Sequence, residues 1–488
     1  MYTSPSLFLN EVGDHDVNTV DGRIHLHHLC LPSHDVVGHA VSDDGLTFKP
    51  ARPALYTGAP GECDDDMIWT MHTVRSPKTG LYHMYYTACS LAENGQVQRV
   101  AMATSRDFEH WTKDPRNPVL VAAPPHYLGD TGLLGRVAFR DPFAFIDDDG
   151  SWHLLVCAST AAGDRLRRGC VAHAVSRDGL AWKLRKPLYA PCQTDDLEVP
   201  ALLKHKGRYY LFVHELRTPR SYYRVADSLE GPWVAPAYDE PLPDHNCVNR
   251  FCRWKGATLM YTWYRCEADW PRSTNSYASV LPPKEVHFDR DGALRMSTFG
   301  GWRACFRGRP RRLAAGEFRS FREGPAAWRV AGGRLRGDVV GQLVGFAAAE
   351  FGDFVLDADL QCDRGRAAGL VFRASANTEC GNWARLDFER QRVELHRLMP
   401  RDTGLNRTVR MQPSLRQSFD FPLARGRRLR LHLVASREYV ELSINGRICL
   451  STATYAQQRG RLGFFLENAA GSFGPVTVQP ITAPASGG

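Results

Sequence analysis

A turn glycine opening a strand rich in aromatic and branched residues recurs five times in the first 300 residues. The copies are Gly22-RIHLHHL, Gly80-LYHMYYTA, Gly150-SWHLLVCAS, Gly207-RYYLFVHE and Gly256-ATLMYTWY, at spacings of 58, 70, 57 and 49 residues. Tyr, Phe, His, Leu and Val suit a buried pleated surface, and a glycine before them marks the turn that feeds the strand. A second motif interleaves with the first: AVSDDGLTFKPARPAL from Ala40, ATSRDFEHWTKDPRNPVL from Ala103, AVSRDGLAWKLRKPLY from Ala174 and a degenerate VADSLEGPWVAPAYDEPL from Val225. Each is a strand end, a polar turn, an aromatic and a closing proline. Units of 49–70 residues made of strand and turn, with no long helical period, predict radial sheet repetition, here a five-bladed β-propeller.

The pattern changes near residue 312. Period-two segments follow at FVLDADL (354–360), AGLVF (368–372), WARLDFE (383–389), VELHRL (393–398), RLRLHLVAS (428–436) and YVELSING (439–446), and GRLGFFLEN (460–468) comes after them. Short alternating strands with frequent turns predict a β-sandwich. The expected fold is therefore all-β: a propeller over residues 1–305 and a concanavalin-like sandwich over 313–482. Charge changes at the same place. From residue 301 onward there are 29 Arg, no Lys and 17 acidic residues, a net +12, so the first 300 residues carry −4 of the overall +8.

Several function classes are set aside on these grounds. The basic run Arg307, Arg309, Arg311 and Arg312 has no interleaved aromatic platform and reads as a solvated linker, so no nucleic-acid partner is expected. No apolar run reaches the roughly 18 residues of a membrane span, and Met1 leads straight into polar residues; no membrane partner is expected, and the cytoplasm is the expected compartment. Thirteen scattered cysteines read as free thiols. Cys247 and Cys252 beside His245 form a weak metal signature, and no cofactor or metal is expected.

In a propeller the innermost strands begin around the central axis, so equivalent starting positions converge on one hollow. Counting eight or nine residues back from each repeat glycine reaches Asp14, Asp141 and Glu198; the same places before Gly80 and Gly256 hold Met71, His72, Cys247 and Val248. Glycosidic cleavage needs one acid to protonate the leaving oxygen and one carboxylate across the sugar as nucleophile or base. Crowding raises the pKa of at least one carboxyl and keeps a proton donor near neutral pH, while a third can stabilise charge on the ring. The same cluster could instead bind a divalent cation, a reading ranked second.

The segments GDHDVNTVDGRIHLHHL (13–29), FRDPFAFIDDDGSWHLLV (139–156) and LEVPALLKHKGRYYLF (197–212) resemble the three acidic motifs of glycoside hydrolase family 32, the invertases, levanases and inulinases. DDDMIWT (64–70), SVLPPKEVHFDRDGALRM (279–296) and the sandwich segment LRLHLVASREYVELSINGR (429–447) extend the likeness. The resemblance implies a β-fructofuranosidase-like hydrolase acting on an oligosaccharide or glycoside by double displacement. Asp14 would be nucleophile, Asp141 transition-state stabiliser and Glu198 general acid/base, with Asp16, Trp69 and Arg140 around the sugar. Retention implies Asp14 and Glu198 carboxyls about 5–5.5 Å apart. Gly13-Asp14-His15-Asp16 stands where that family carries Trp-Met-Asn-Asp-Pro-Asn, which makes Asp16 a rival nucleophile. Val199 replaces the cysteine that usually follows the acid/base. Both changes touch the sugar pocket, so an inverting arabinofuranosidase-type enzyme and a non-catalytic carbohydrate-binding propeller remain alternatives.

Overall fold

The computed structural model describes the chain apart from residues 3–10, 216–217, 219, 268–275, 322–327, 376–379, 403–408, 455–456 and 485–488. Five antiparallel sheets follow one another, beginning with the strands Glu11–Val20, Met67–Arg75, Phe139–Ile146, Glu198–His205 and Asn246–Trp254. Each of these first strands packs against the first strands of the blades on either side, blade five returning to blade one, so the five enclose a common axis. The sheets form a five-bladed propeller. The five repeat glycines all lie between a first strand and its neighbour, with φ from +73° to +85°, a backbone region that strains residues bearing a Cβ.

The second motif also has a shared physical basis. Ser42, Ser105 and Ser176 each donate to an aspartate two residues on, and Asp44, Asp107 and Asp178 then accept the following backbone N–H groups. This side-chain turn steers the chain toward the outer edge of the blade. Three seams between blades use one device: Tyr85, Tyr210 and Tyr261, all buried, donate to the carbonyls of Gly179, Gly292 and Gly45 in the next blade. A Cβ on Gly179 would stand 2.8 Å from the Tyr85 oxygen, so the close approach requires glycine there. The ring closes where Tyr2 bridges Val280 and Trp254 Nε1 donates to Gly22 O.

Lys284–Phe288 and Leu294–Thr298 complete blade five. The linker passes through a 3-10 turn, Gly300–Cys305, and Arg311–Leu313 then pairs with the last strand of the C-terminal domain. That domain is a β-sandwich about one apolar core containing Phe354, Leu370, Leu386, Leu433, Leu442 and Phe464. Its long strands, Arg334–Phe351, Phe354–Ala374 and Gly460–Pro480, bend at register shifts. No helix among the described residues is long and apolar enough to cross a membrane.

Propeller and sandwich meet at a buried polar node. Lys284 and Glu441 are fully buried and 3.4 Å apart; Lys284 Nζ donates to Tyr439 Oη at 2.7 Å, and Trp302 stacks on Tyr439. Removing one charge strands the other in low dielectric. Lys284→Met is expected to cost about 3–5 kcal/mol in urea unfolding, whereas Lys284→Met combined with Glu441→Leu recovers most of it. Equal losses in the single and double variants would refute this reading of the node.

Candidate active site

Every first strand slips register at the same height: between Val12 and His15, Trp69 and Met71, Arg140 and Phe143, Glu198 and Ala201, and Cys247 and Arg250. Each slip adds one residue to the inner strand, a β-bulge that bends the strand and re-aims its side chains. Asp141, Val199 and Val248 sit in these bulges at φ +58°, +49° and +54°.

The three acids expected from the repeat occupy this height, but not one equivalent position. Asp14 and Asp141 lie within their bulges, whereas Glu198 precedes its own and corresponds to Arg140 in blade three. The cause is turn length. Ile146 pairs with Trp152 across a five-residue turn, and His205 pairs with Arg208 across two, so equal counts from the glycine land one strand position apart.

The structure nevertheless brings them together, with Thr70 acting on both Asp14 and Asp141. Thr70, in the blade-two bulge, donates to Asp14 Oδ2. Asp141 N–H donates to Thr87 Oγ1 at 2.9 Å, and its Oδ2 accepts Val199 N–H at 3.1 Å. Arg140 lies between blades: Nη2 is 2.7 Å from Glu198 Oε1 and 3.2 Å from Asp196 Oδ1, Nε is 3.6 Å from Asp141 Oδ2, and Nη1 donates to Gln98. Asp141 and Arg140 are buried, 3% and 4% exposed, while Asp14 and Glu198 keep part of their surface open. Two carboxylates thus face solvent above a buried floor.

Burial, then the charge of Asp141, pushes the Asp14 carboxyl up to about 7 against the Thr70 hydrogen bond; Glu198 adds to the rise. Burial also raises Asp141, opposed by Arg140. Carboxyls this crowded do not all ionise together, so the cluster retains a proton near neutrality.

Asp16 lies elsewhere than the sugar-side position expected of it. It is 1% exposed; Oδ2 accepts Asn18 Nδ2 and Thr73 N–H, both at 2.8 Å, and Oδ1 is 3.9 Å from His72 Nε2. Two residues along a strand return to the same face roughly 7 Å further on, so Asp16 points to the axis one layer below Asp14. Trp69 is half-buried beside Thr70 and packs against the cluster of Leu29, Val37 and Met71. Trp263, absent from the sequence expectation, donates from Nε1 to Val12 O and packs on Val199, Cys247 and Val248 at the same height. Thr70, Gln98 and Asp196 were also missed. Thr70 lies ten residues before Gly80, outside a count of eight or nine, because the turn there spans 76–81.

Residues 13–225 match the family description "Glycosyl hydrolases family 32 N-terminal domain". Most of the propeller is thus similar to a family 32 glycosyl hydrolase domain. The insoluble-isoenzyme β-fructofuranosidase CWINV5 of Arabidopsis thaliana is 29% identical over 170 residues, 34% of this chain and 27% of the relative's length. The chain thus aligns with about a quarter of that relative. Fructan 1-exohydrolase IIa of Cichorium intybus superposes with a TM-score of 0.70 at 15% identity over 97% of this chain and 96% of its own. A point variant of that enzyme, solved in complex with 1-kestose, gives a TM-score of 0.70 at 14% identity over the same shares. Exo-inulinase of Aspergillus awamori gives 0.70 at 16% identity, again over 97% and 96%. These likenesses show a shared propeller-and-sandwich fold along nearly the whole chain.

The raised Asp14 carboxyl has a consequence for stability. Between about pH 4 and 7 the folded protein holds a proton there that the unfolded chain has lost, so stability falls as pH rises through that window. Asp14→Asn keeps the shape and removes the cost. It is expected to match the parent near pH 4 and to exceed it by at least about 1 kcal/mol at pH 8, one pKa unit being about 1.4 kcal/mol. Thermal unfolding at the two pH values checks this, and a variant less stable than the parent at pH 8 contradicts it.

Proposed function

We propose that the chain hydrolyses a furanoside, a β-fructofuranoside of an oligosaccharide or glycoside, by retaining double displacement. The observation that carries this is the gathering of Asp14, Asp141 and Glu198 from three blades, the last two on one buried arginine, in a propeller similar to that of family 32. Asp14, half-open and bonded by Thr70, attacks the anomeric carbon. Glu198, half-open on the other flank, protonates the leaving oxygen and later draws a proton from water. Asp141, fixed by Val199 N–H and Arg140, stays in the floor and stabilises the oxocarbenium-like charge. Arg140 orients Glu198, and Trp69 and Trp263 flank the sugar. The 1-kestose complex of the Cichorium enzyme supports the choice of substrate class. Thirteen cysteines scattered without paired spacing fit a reducing compartment such as the cytoplasm.

The test is turnover of sucrose, 1-kestose, inulin and levan fragments beside aryl arabinofuranosides, with product anomers followed by NMR. Fructose release with retained configuration is expected, with kcat lowered on the order of 10²–10⁴-fold in Asp14→Asn and Glu198→Gln. First-formed product of inverted configuration rejects double displacement. Arabinose release alone rejects the fructoside assignment, and binding without turnover rejects the hydrolase.

A further inference from the structure

Beneath the carboxylates lies a second ring of axial residues. Asp16, His72, Phe143 and Arg250 follow the bulges of blades one, two, three and five, and Pro200 lies within the bulge of blade four. They form an open chain of contacts from Asp16 to Pro200. His72 Nε2 is 3.9 Å from Asp16, the His72 ring centroid is 4.0 Å from that of Phe143, and the Arg250 guanidinium is 5.5 Å from the Phe143 centroid. Arg250 Nη1 donates to Pro200 O at 3.3 Å, and Asp16 interacts electrostatically with Arg250.

We infer that Arg250 is a positioning residue for the hydrolysis proposed above: from beneath the site its fixed charge favours the ionised form of Asp14 against the neighbouring acids, with Asp16 as the counter-ion that meters that charge.

The placement supports the role in three ways. Arg250 is 0% exposed in the strand that completes the axial ring, and an arginine does not surrender its proton. Its Nη1 is engaged by backbone carbonyls of Pro200 and Asn249, while Nε and Nη2 meet no hydrogen-bond acceptor among the described residues. The guanidinium is therefore not bound to Asp16 in a two-point fork, and its field extends through a low-dielectric interior to Asp14 and Asp141. A nucleophile crowded by Asp141 and Glu198 needs such an opposing charge, and Arg250 lowers the Asp14 carboxyl alongside the Thr70 bond.

The surrounding groups leave Arg250 as the cation of this layer. Asp16, Asp14 and Asp141 face it as acids, Arg140 is committed to Asp141, Asp196 and Glu198, and His15 and His72 are held neutral by burial and by Arg250 itself. A merely structural arginine would support Phe143 and the blade-four carbonyl without touching the ionisation of Asp14.

The inference rests on the hydrolase reading, and opposite charge changes test it. In kcat/KM against pH, Arg250→Met is expected to move the acidic limb up, because Asp14 loses a favourable cation. Asp16→Asn is expected to move it down, and Arg250→Lys to leave it near the parent's. Uniform loss at all pH values with unmoved limbs assigns Arg250 to structure and overturns the inference. A second readout needs no turnover: the stability gain of Asp14→Asn over its parent should extend to higher pH in an Arg250→Met background. An inactive parent therefore sinks the functional reading while the Asp14–Arg250 coupling is still measured. If Arg250→Met does not fold, the near-isosteric Asp16→Asn decides, and a limb that rises or stays put refutes the role.

Discussion

The guanidinium of Arg140 is what makes the buried side of the carboxylate site sustainable. Asp141 and Glu198 come from two inner strands and Asp196 from the connection between them, and they meet in a place where an unpaired ion would cost several kcal/mol. Arginine meets them with a rigid fork that remains charged at every working pH. Its contacts with Glu198 and Asp196 cross from blade three to blade four, so the same ion also sets the spacing of two blades at the axis. Without it the acids would retain protons or separate, and either outcome removes the division of roles that glycosidic chemistry needs. One layer down Arg250 plays a looser part, offsetting Asp16 while remaining free of a two-point bond. The axis is thus charge-balanced in tiers, a tightly neutralised floor below Glu198 and a weaker cation below Asp14.

The propeller was legible because its turns must repeat. A hairpin needing φ near +80° in five places demands five glycines, and a serine–aspartate turn that caps its own backbone leaves the same polar spelling in three blades. The site was legible less sharply, since distance from a glycine measures strand position only when the intervening turns have equal length. They span two residues in blades one, four and five, five in blade three and six in blade two. Asp141 and Glu198 were therefore found by a count that treats them as equivalents, although Glu198 stands level with Arg140. Arg250 left no signal at all. In NCVNRFCRW a charged residue reads as the solvent face of an alternating strand, and only the bulge before it turns that residue to the axis.

The sandwich shows the opposite balance. Its alternating segments were plain, but FVLDADL and AGLVF read as two strands with a charged turn between them, whereas Phe354–Ala374 is continuous. Register shifts between Ala358 and Leu360 and between Cys362 and Arg364 let one strand bend across its neighbours, and Gly365 at φ +101° absorbs part of the change. A bend of this kind uses the residues that mark a turn, so local sequence cannot separate the two.

Where the sandwich touches the propeller bears on the chemistry as well as on stability. Asn246, the first residue of the inner strand of blade five, donates from Nδ2 to Ser451 O at 2.9 Å, and Gln417 ties that same carbonyl to Asp244 O just upstream. Tyr264, on the adjoining strand, meets Thr452. Those contacts fix the entry to the strand whose bulge carries Val248 and which then delivers Arg250 to the axis. Blade five offers no carboxylate to the site, yet its inner strand supplies the cation beneath Asp14, and the register of that strand is pinned from outside the propeller. The second domain therefore acts on the site through the backbone at Asn246, by holding a charge at a set depth rather than by reaching the sugar.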